Sequence, residues 1–204
     1  MRYRIGAVVA AIGLWVGSAS AVYAAQRYAI DESHTTVGFS IPHLVINRVH
    51  GNFRQISGMI NYDEADPAKS SVEVVIKAAG IDTGNDKRDG HLRSPDFFDT
   101  DKYPEIVFRS SRIERQGEGY LCTGTLTMHG VSKEIQIPFA VTGTVRDPWG
   151  KTRLGVEAAL VLNRQDYGIV YNKTLESGGM LLGNDVKIEL NVEAVQEQPP
   201  AAAQ

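Results

Sequence analysis

The sequence predicts a single all-β domain of eight antiparallel strands with one short helical insertion. Three observations predict it. Apolar and polar residues alternate with period two along several runs, which is how a strand with one face on a core and one in water reads. Turn-forming residues separate the runs at short intervals, and only two longer stretches interrupt the rhythm.

The chain opens with a different pattern. Arg2 and Arg4 precede an uncharged apolar run from Ile5 to Val16, and small residues lead to Val22-Tyr23-Ala24. That order reads as a secretory signal peptide cleaved after Ala24, with Ala21 as the second choice. The apolar run is shorter than the roughly 20 residues of a membrane span, and no other run approaches that length, so no stable membrane insertion is expected. The expected organisation is a signal peptide over 1–24, one β domain over 25–196 and a flexible Pro/Ala-rich tail over 197–204, in a secreted, periplasmic protein.

The strands follow in order. Weaker alternation marks 34–41 and 50–62. Val72, Val74, Ile76 and Ala78 alternate with polar neighbours, then weaker runs cover 105–112 and 119–128. Ile135, Ile137, Phe139 and Val141 form the sixth run. Leu154, Val156, Ala158, Leu160 and Leu162 form the seventh, and Val186, Ile188, Leu190 and Val192 the eighth. The connections at 63–67, 116–119, 129–130 and 147–150 carry Gly, Pro or Asp, as tight turns require. Connections this short join antiparallel neighbours, because a parallel crossover needs a dozen or more residues. The interruption at 82–104 holds a polar segment near Asp86 to Ser94 that suits a short helix. The one at 163–185 mixes glycine with Tyr167, Ile169, Tyr171, Met180, Leu181 and Leu182, and its apolar content argues against disorder. Eight such strands form either a sandwich or a closed barrel, and alternation alone does not separate a packed core from a lined cavity.

Composition excludes several functions. The formal charge of −3 provides no field for nucleic acid, and the basic residues lack the patch with stacking aromatics that nucleic-acid binding uses. Cys122 is the only cysteine, so no internal disulfide forms. Intermolecular pairing through it, and with it a homodimer, stays open, although its strand-like surroundings suit a buried thiol. His34, His43, His50, His91 and His129 lack metal-ligand spacing. Asp86, Asp89, Asp96, Asp99 and Asp101 share a loop with Lys87, Arg88, Arg93 and Lys102, which reads as a solvated loop with helix caps. No nucleophile elbow or phosphate-cradling glycine loop is present. Asn172-Lys173-Thr174 matches a glycosylation sequon, a pattern too short to carry weight. No catalytic residue, metal site or cofactor is expected.

Several segments together resemble a known family. They are Tyr28-x-Ile30-Asp31-x-x-His34-Thr35-x-Val37-x-Phe39, Gly51-x-Phe53, and the block from Arg88-Asp89-Gly90-His91-Leu92-Arg93-Ser94 to Asp96-Phe97-Phe98-Asp99. Tyr103-Pro104, Gly124-x-Leu126-Thr127-x-His129-Gly130-Val131-x-Lys133 and Gly183-x-Asp185-Val186 complete the set. From about Gln26 to Val195 the chain is similar to the YceI-like family of secreted bacterial proteins. The resemblance implies a lipocalin-like antiparallel barrel with a long apolar lumen, residence in the periplasm, and a polyisoprenoid or other long-chain lipid as partner, held for carriage or sequestration. It implies no reaction.

On that reading the expected ligand-binding residues are the inward apolar positions Val37, Phe39, Phe53, Val74, Ile76, Ile106, Phe108, Leu126, Phe139, Leu160 and Ile188. Core packing selects the same side chains. A second class of function stays open beside it: a metal-dependent or acid–base enzyme, or a metal-dependent stress protein, using His34, His91 or His129.

Overall fold

The computed structural model describes residues 25–176 and 178–197. The expected signal peptide over 1–24 and the tail beyond Glu197 lie outside these residues. The strands are β1 (Gln26–Ile30), β2 (Thr36–His43), β3 (Asn47–Phe53), β4 (Ile56–Tyr62), β5 (Ser71–Lys77), β6 (Ile81–Asp82), β7 (Glu105–Gln116), β8 (Gly119–Met128), β9 (Val131–Arg146), β10 (Thr152–Asn163) and β11 (Asp185–Gln196), with one helix, α1 (Asp86–Arg93), between β6 and β7. All pairings are antiparallel. The order β1-β4-β5-β7-β8-β9-β10-β11 closes through β11 onto β1, and β2, β3 and β6 extend the same wall from β11.

The barrel has eight strands because three of them are broken. β1 and β2 lie end to end along β11, opposite Ala194–Gln196 and Lys187–Asn191 respectively. β3 pairs with β2 and β4 with β1, while β6 pairs with β3 and β5 with β4. The breaks fall at one height and are tied together. Asp31 caps a 3-10 turn over Glu32–His34 by accepting from the Ser33 amide. Gln55, at φ 61°, donates its amide to Glu32 Oε1 at 3.0 Å. A second 3-10 turn over Ala78–Gly80 places the Gly80 carbonyl on the Arg54 amide at 2.9 Å. A Cβ on Gly80 would lie 2.3 Å from the Arg54 oxygen, so only glycine permits this approach. The result is a crease across one side of the wall.

These breaks correct two sequence boundaries. The run read as 34–41 is β2, with β1 an additional segment and His34 in the turn between them. The run read as 50–62 is β3 and β4. The helix falls where it was expected, with Asn85 accepting from the Arg88 amide as its N-cap. His129 and Gly130 form the turn between β8 and β9 with φ of 51° and 75°.

The opposite side of the barrel is built from long, unbroken strands. In β7 a bulge between Ser110 and Arg112 shifts the register, so Ile113 pairs with Cys122 on the inner face. The alternation read from sequence stops at this point for that reason. β9 and β10 pair only from Phe139 and Ala158 out to Arg146 and Thr152. Beside the unpaired part of β9 lies the 3-10 turn Arg164–Tyr167. It is fastened by an Asp166–Lys133 ion pair at 3.4 Å and a 3.0 Å bond between the Tyr167 carbonyl and His129 Nδ1. The Tyr167 ring is buried in the main apolar cluster. Among the described residues no helix is long and apolar enough to cross a membrane.

Candidate functional site

The inner faces enclose two chambers. The upper one, of about 280 Å³, lies beneath α1 and the loop after β10. The lower one, of about 120 Å³, lies between the long strands and β4–β5, and its inner surface is apolar throughout. Between them stands packed core. Register makes this explicit: Phe39 pairs with Ile188 at the upper chamber, whereas Val37, two residues earlier, pairs with Leu190 at the lower one.

The expected lining residues separate along this axis. Phe39, Phe53 and Ile188 line the upper chamber. Val74, Phe108 and Phe139 line the lower chamber. Val37, Ile106 and Leu126 are buried in the cluster that fills the barrel, with Ile76 packed against it. Leu160 is half-buried and pairs with Ile188 on the inward face. Ala158 also lines the lower chamber, with Val156 and Leu190.

Sequence reasoning missed the roof of the upper chamber, where Arg88, His91, Leu92, Phe97 and Phe98 come from α1 and the turn after it, and Arg164, Ile169 and Tyr171 from the loop after β10. The helix is pinned from several directions. Arg93 donates to the Ala79 and Ile81 carbonyls at 2.8 and 2.9 Å. Arg88 Nε donates to Thr83 Oγ1 at 2.7 Å, and buried Asp89 accepts from the Thr83 amide and hydroxyl. Arg164 is 5 % exposed and organises the loop: it donates to the carbonyls of Gly183, Ile169 and Tyr171 and to Asn184 Oδ1. No carboxylate pairs with it among the described residues, and burial lowers its pKa. The upper chamber is therefore an apolar space with cationic donors in its roof. The only signal for this in sequence is the mixture of basic and aromatic residues at 88–98.

The lower chamber contrasts with it. Among the described residues no charged one lines it. Cys122 points into it, 3 % exposed, and desolvation pushes its thiol up to about 11.

The three histidines considered for chemistry sit in structural bonds. His91 Nε2 meets Asp96 at 2.8 Å, with its ring edge-on to Phe97 and Tyr171. His129 holds the Tyr167 carbonyl. His34 Nδ1 lies 3.0 Å from Asp31 and 4.0 Å from Glu193, a cluster with metal-ligand spacing. The guanidinium of Arg153 already bridges those two carboxylates and bonds Asp147 at 2.8 Å. Serine and histidine hydrogen bonds, with the Arg153 contact, hold the Asp31 carboxyl well below its ordinary range.

Known proteins share this architecture. A UPF0312 protein of Photorhabdus laumondii is 39% identical over 154 residues, spanning 76% of this chain and 80% of its own length. The crystal structure of the YceI protein of Campylobacter jejuni aligns with a TM-score of 0.66 at 34% identity, covering 82% of this chain and 96% of that one. A polyisoprenoid-binding domain from Saccharophagus degradans shares the fold, with a TM-score of 0.59 at 18% identity over 83% of this chain and 98% of that one. The YceI-like domain profile matches residues 28–194, almost the whole of the barrel, and the chain belongs to the YceI-like family.

Proposed function

We propose that this chain is a periplasmic binding protein that holds a polyisoprenoid or similar long-chain apolar ligand in its lumen. The polar end lies beneath Arg88 and His91 in the upper chamber, and the tail reaches the lower chamber when the core side chains between the two move aside. The observation that carries this reading is the wholly apolar lower chamber inside a closed barrel. A charged or oxygen-rich solute gains nothing there, whereas each buried methylene contributes about 0.8 kcal/mol. The upper chamber is close to the roughly 300–1,000 Å³ of small-molecule sites, and its few donors suit the polar end of an otherwise apolar molecule. The shared fold with the Saccharophagus domain supports the ligand class. Family and fold point to a binding protein.

The test is extraction of the purified protein into organic solvent, with mass spectrometry of what is released. A long-chain apolar lipid in stoichiometric amount is expected. A lipid-free protein that also takes up no prenyl alcohol would refute the proposal. N-terminal sequencing of the protein from its host tests the compartment, with Ala25 as the expected first residue.

A further inference from the structure

We propose that Gly51 sets the bore of the upper chamber by letting the Phe39 ring lie flat against the barrel wall, and so determines which chains enter. This rests on the binding role proposed above. Phe39 and Gly51 are directly opposed on β2 and β3. A Cβ on Gly51 would lie 2.5 Å from Phe39 Cζ and 2.8 Å from both Phe39 Cε1 and Thr83 Cγ2. Ordinary carbon contacts are about 3.5–4.0 Å, so the ring occupies the space a side chain would need.

Backbone conformation does not require this glycine. Gly51 is absent from the positive-φ glycines and sits in a regular ladder, where alanine fits the backbone. Its role is therefore to leave room. Gly124 is the useful contrast. A Cβ there would meet Phe108 Cζ at 2.6 Å, but also the Arg109 carbonyl at 2.4 Å and Ser110 Cα at 2.8 Å, so that glycine serves the backbone as well.

When a methyl is added at Gly51, one of its two neighbours must yield. Thr83 is held: its hydroxyl donates to Asp89 at 2.5 Å and accepts from Arg88 at 2.7 Å. Phe39 has no polar tether, and the chamber lies beside its ring. Phe53, at 5.7 Å between centroids, blocks one flank. The ring turns inward and narrows the passage. A methyl-branched chain, wider than a straight one, loses most.

The experiment measures binding of geranylgeraniol and of 1-hexadecanol to the wild type, Gly51→Ala, Phe39→Leu and the double variant, with circular dichroism to check folding. Gly51→Ala should bind geranylgeraniol about tenfold more weakly, with hexadecanol affected less. Adding Phe39→Leu should restore prenyl binding, because the smaller side chain clears the lumen. Wild-type affinity in a folded Gly51→Ala overturns the inference, as does a double variant that stays weak. If Gly51→Ala fails to fold, Phe39→Leu alone decides. A wider chamber strengthens geranylgeraniol binding relative to hexadecanol, and an unchanged ratio overturns the proposal. A wild type that binds neither alcohol and carries no lipid refutes the binding role itself, which is a distinguishable failure.

Discussion

The two ends of the lumen are built by opposite means. The upper chamber is roofed by a helix and a loop, and polar bonds hold both in place. Arg164 alone gathers four acceptors there. The lower chamber is enclosed mainly by strands that present apolar surface to it, and even its cysteine is held as a neutral thiol. One end can recognise a functional group, and the other can measure only shape. Enclosure by a sheet comes from the barrel's own ladder, whereas enclosure by loops depends on individual side chains.

That difference predicts where single substitutions act most. Arg164→Met should be the most damaging. It leaves four acceptors without their donor, the Ile169 carbonyl buried and the others part-buried, and an unsatisfied buried group costs about 1–3 kcal/mol. A loss of at least ~3 kcal/mol in urea unfolding is expected, and a loss below ~1 kcal/mol would show that the roof does not depend on this residue.

Ala158→Trp probes the lower chamber. Overpacking a solid core costs about 1–3 kcal/mol, but here a cavity of about 120 Å³ receives the ring. The variant should keep near-native urea stability and lose co-purified lipid. Marked destabilisation with lipid retained would mean that the space is effectively filled.

Cys122 tests the dryness of the same chamber. With its thiol raised from 9.0 to about 11, the folded protein holds roughly a hundredfold less thiolate near neutral pH than a free cysteine. Iodoacetamide should label it slowly until the protein is denatured. The folded state retains this proton where the unfolded chain releases it, so the contribution to stability is complete below pH 9.0 and falls as pH rises towards about 11. Rapid labelling in the native state would show water at the thiol.

The smallest effect belongs to Tyr167→Phe. Its hydroxyl is buried without a partner among the described residues, so its removal should leave urea stability unchanged or raise it by about 0.5–1 kcal/mol. A clear loss would reveal a partner for that oxygen.

The strand architecture was legible where alternation is uninterrupted, as from Val186 to Val192 and from Leu154 to Leu162. It was illegible where capping side chains break a strand. Asp31 ends β1 by accepting from the Ser33 amide and Glu32 accepts from the distant Gln55 amide, bonds that leave no trace in hydrophobic period, and Gln55 follows β3 at a positive φ. The bulge at Ser111 similarly returns Ile113 to the inner face against the parity of the pattern before it. The site was legible to the level of which face points inward. Position along the barrel axis was not, because Val37 and Phe39 share parity although one packs the centre and the other borders a cavity. Arg164 escaped notice because its role comes from the acceptors around it, and these are brought together only by folding.

The crease across β1–β6 has a mechanical consequence. Where β1 closes onto β11 the wall has no free edge from which to unzip, so opening of that part has to come from bending. β7 to β11 run unbroken and act as a stiff spine. The facing wall is a jointed panel, already interrupted at Asp31, Arg54 and Ala79, where flexing severs few ladder hydrogen bonds. Amide hydrogens on either side of these joints should exchange before those of the spine. If the proposed binding role holds, the jointed panel is the part of the wall that would move to admit a long ligand.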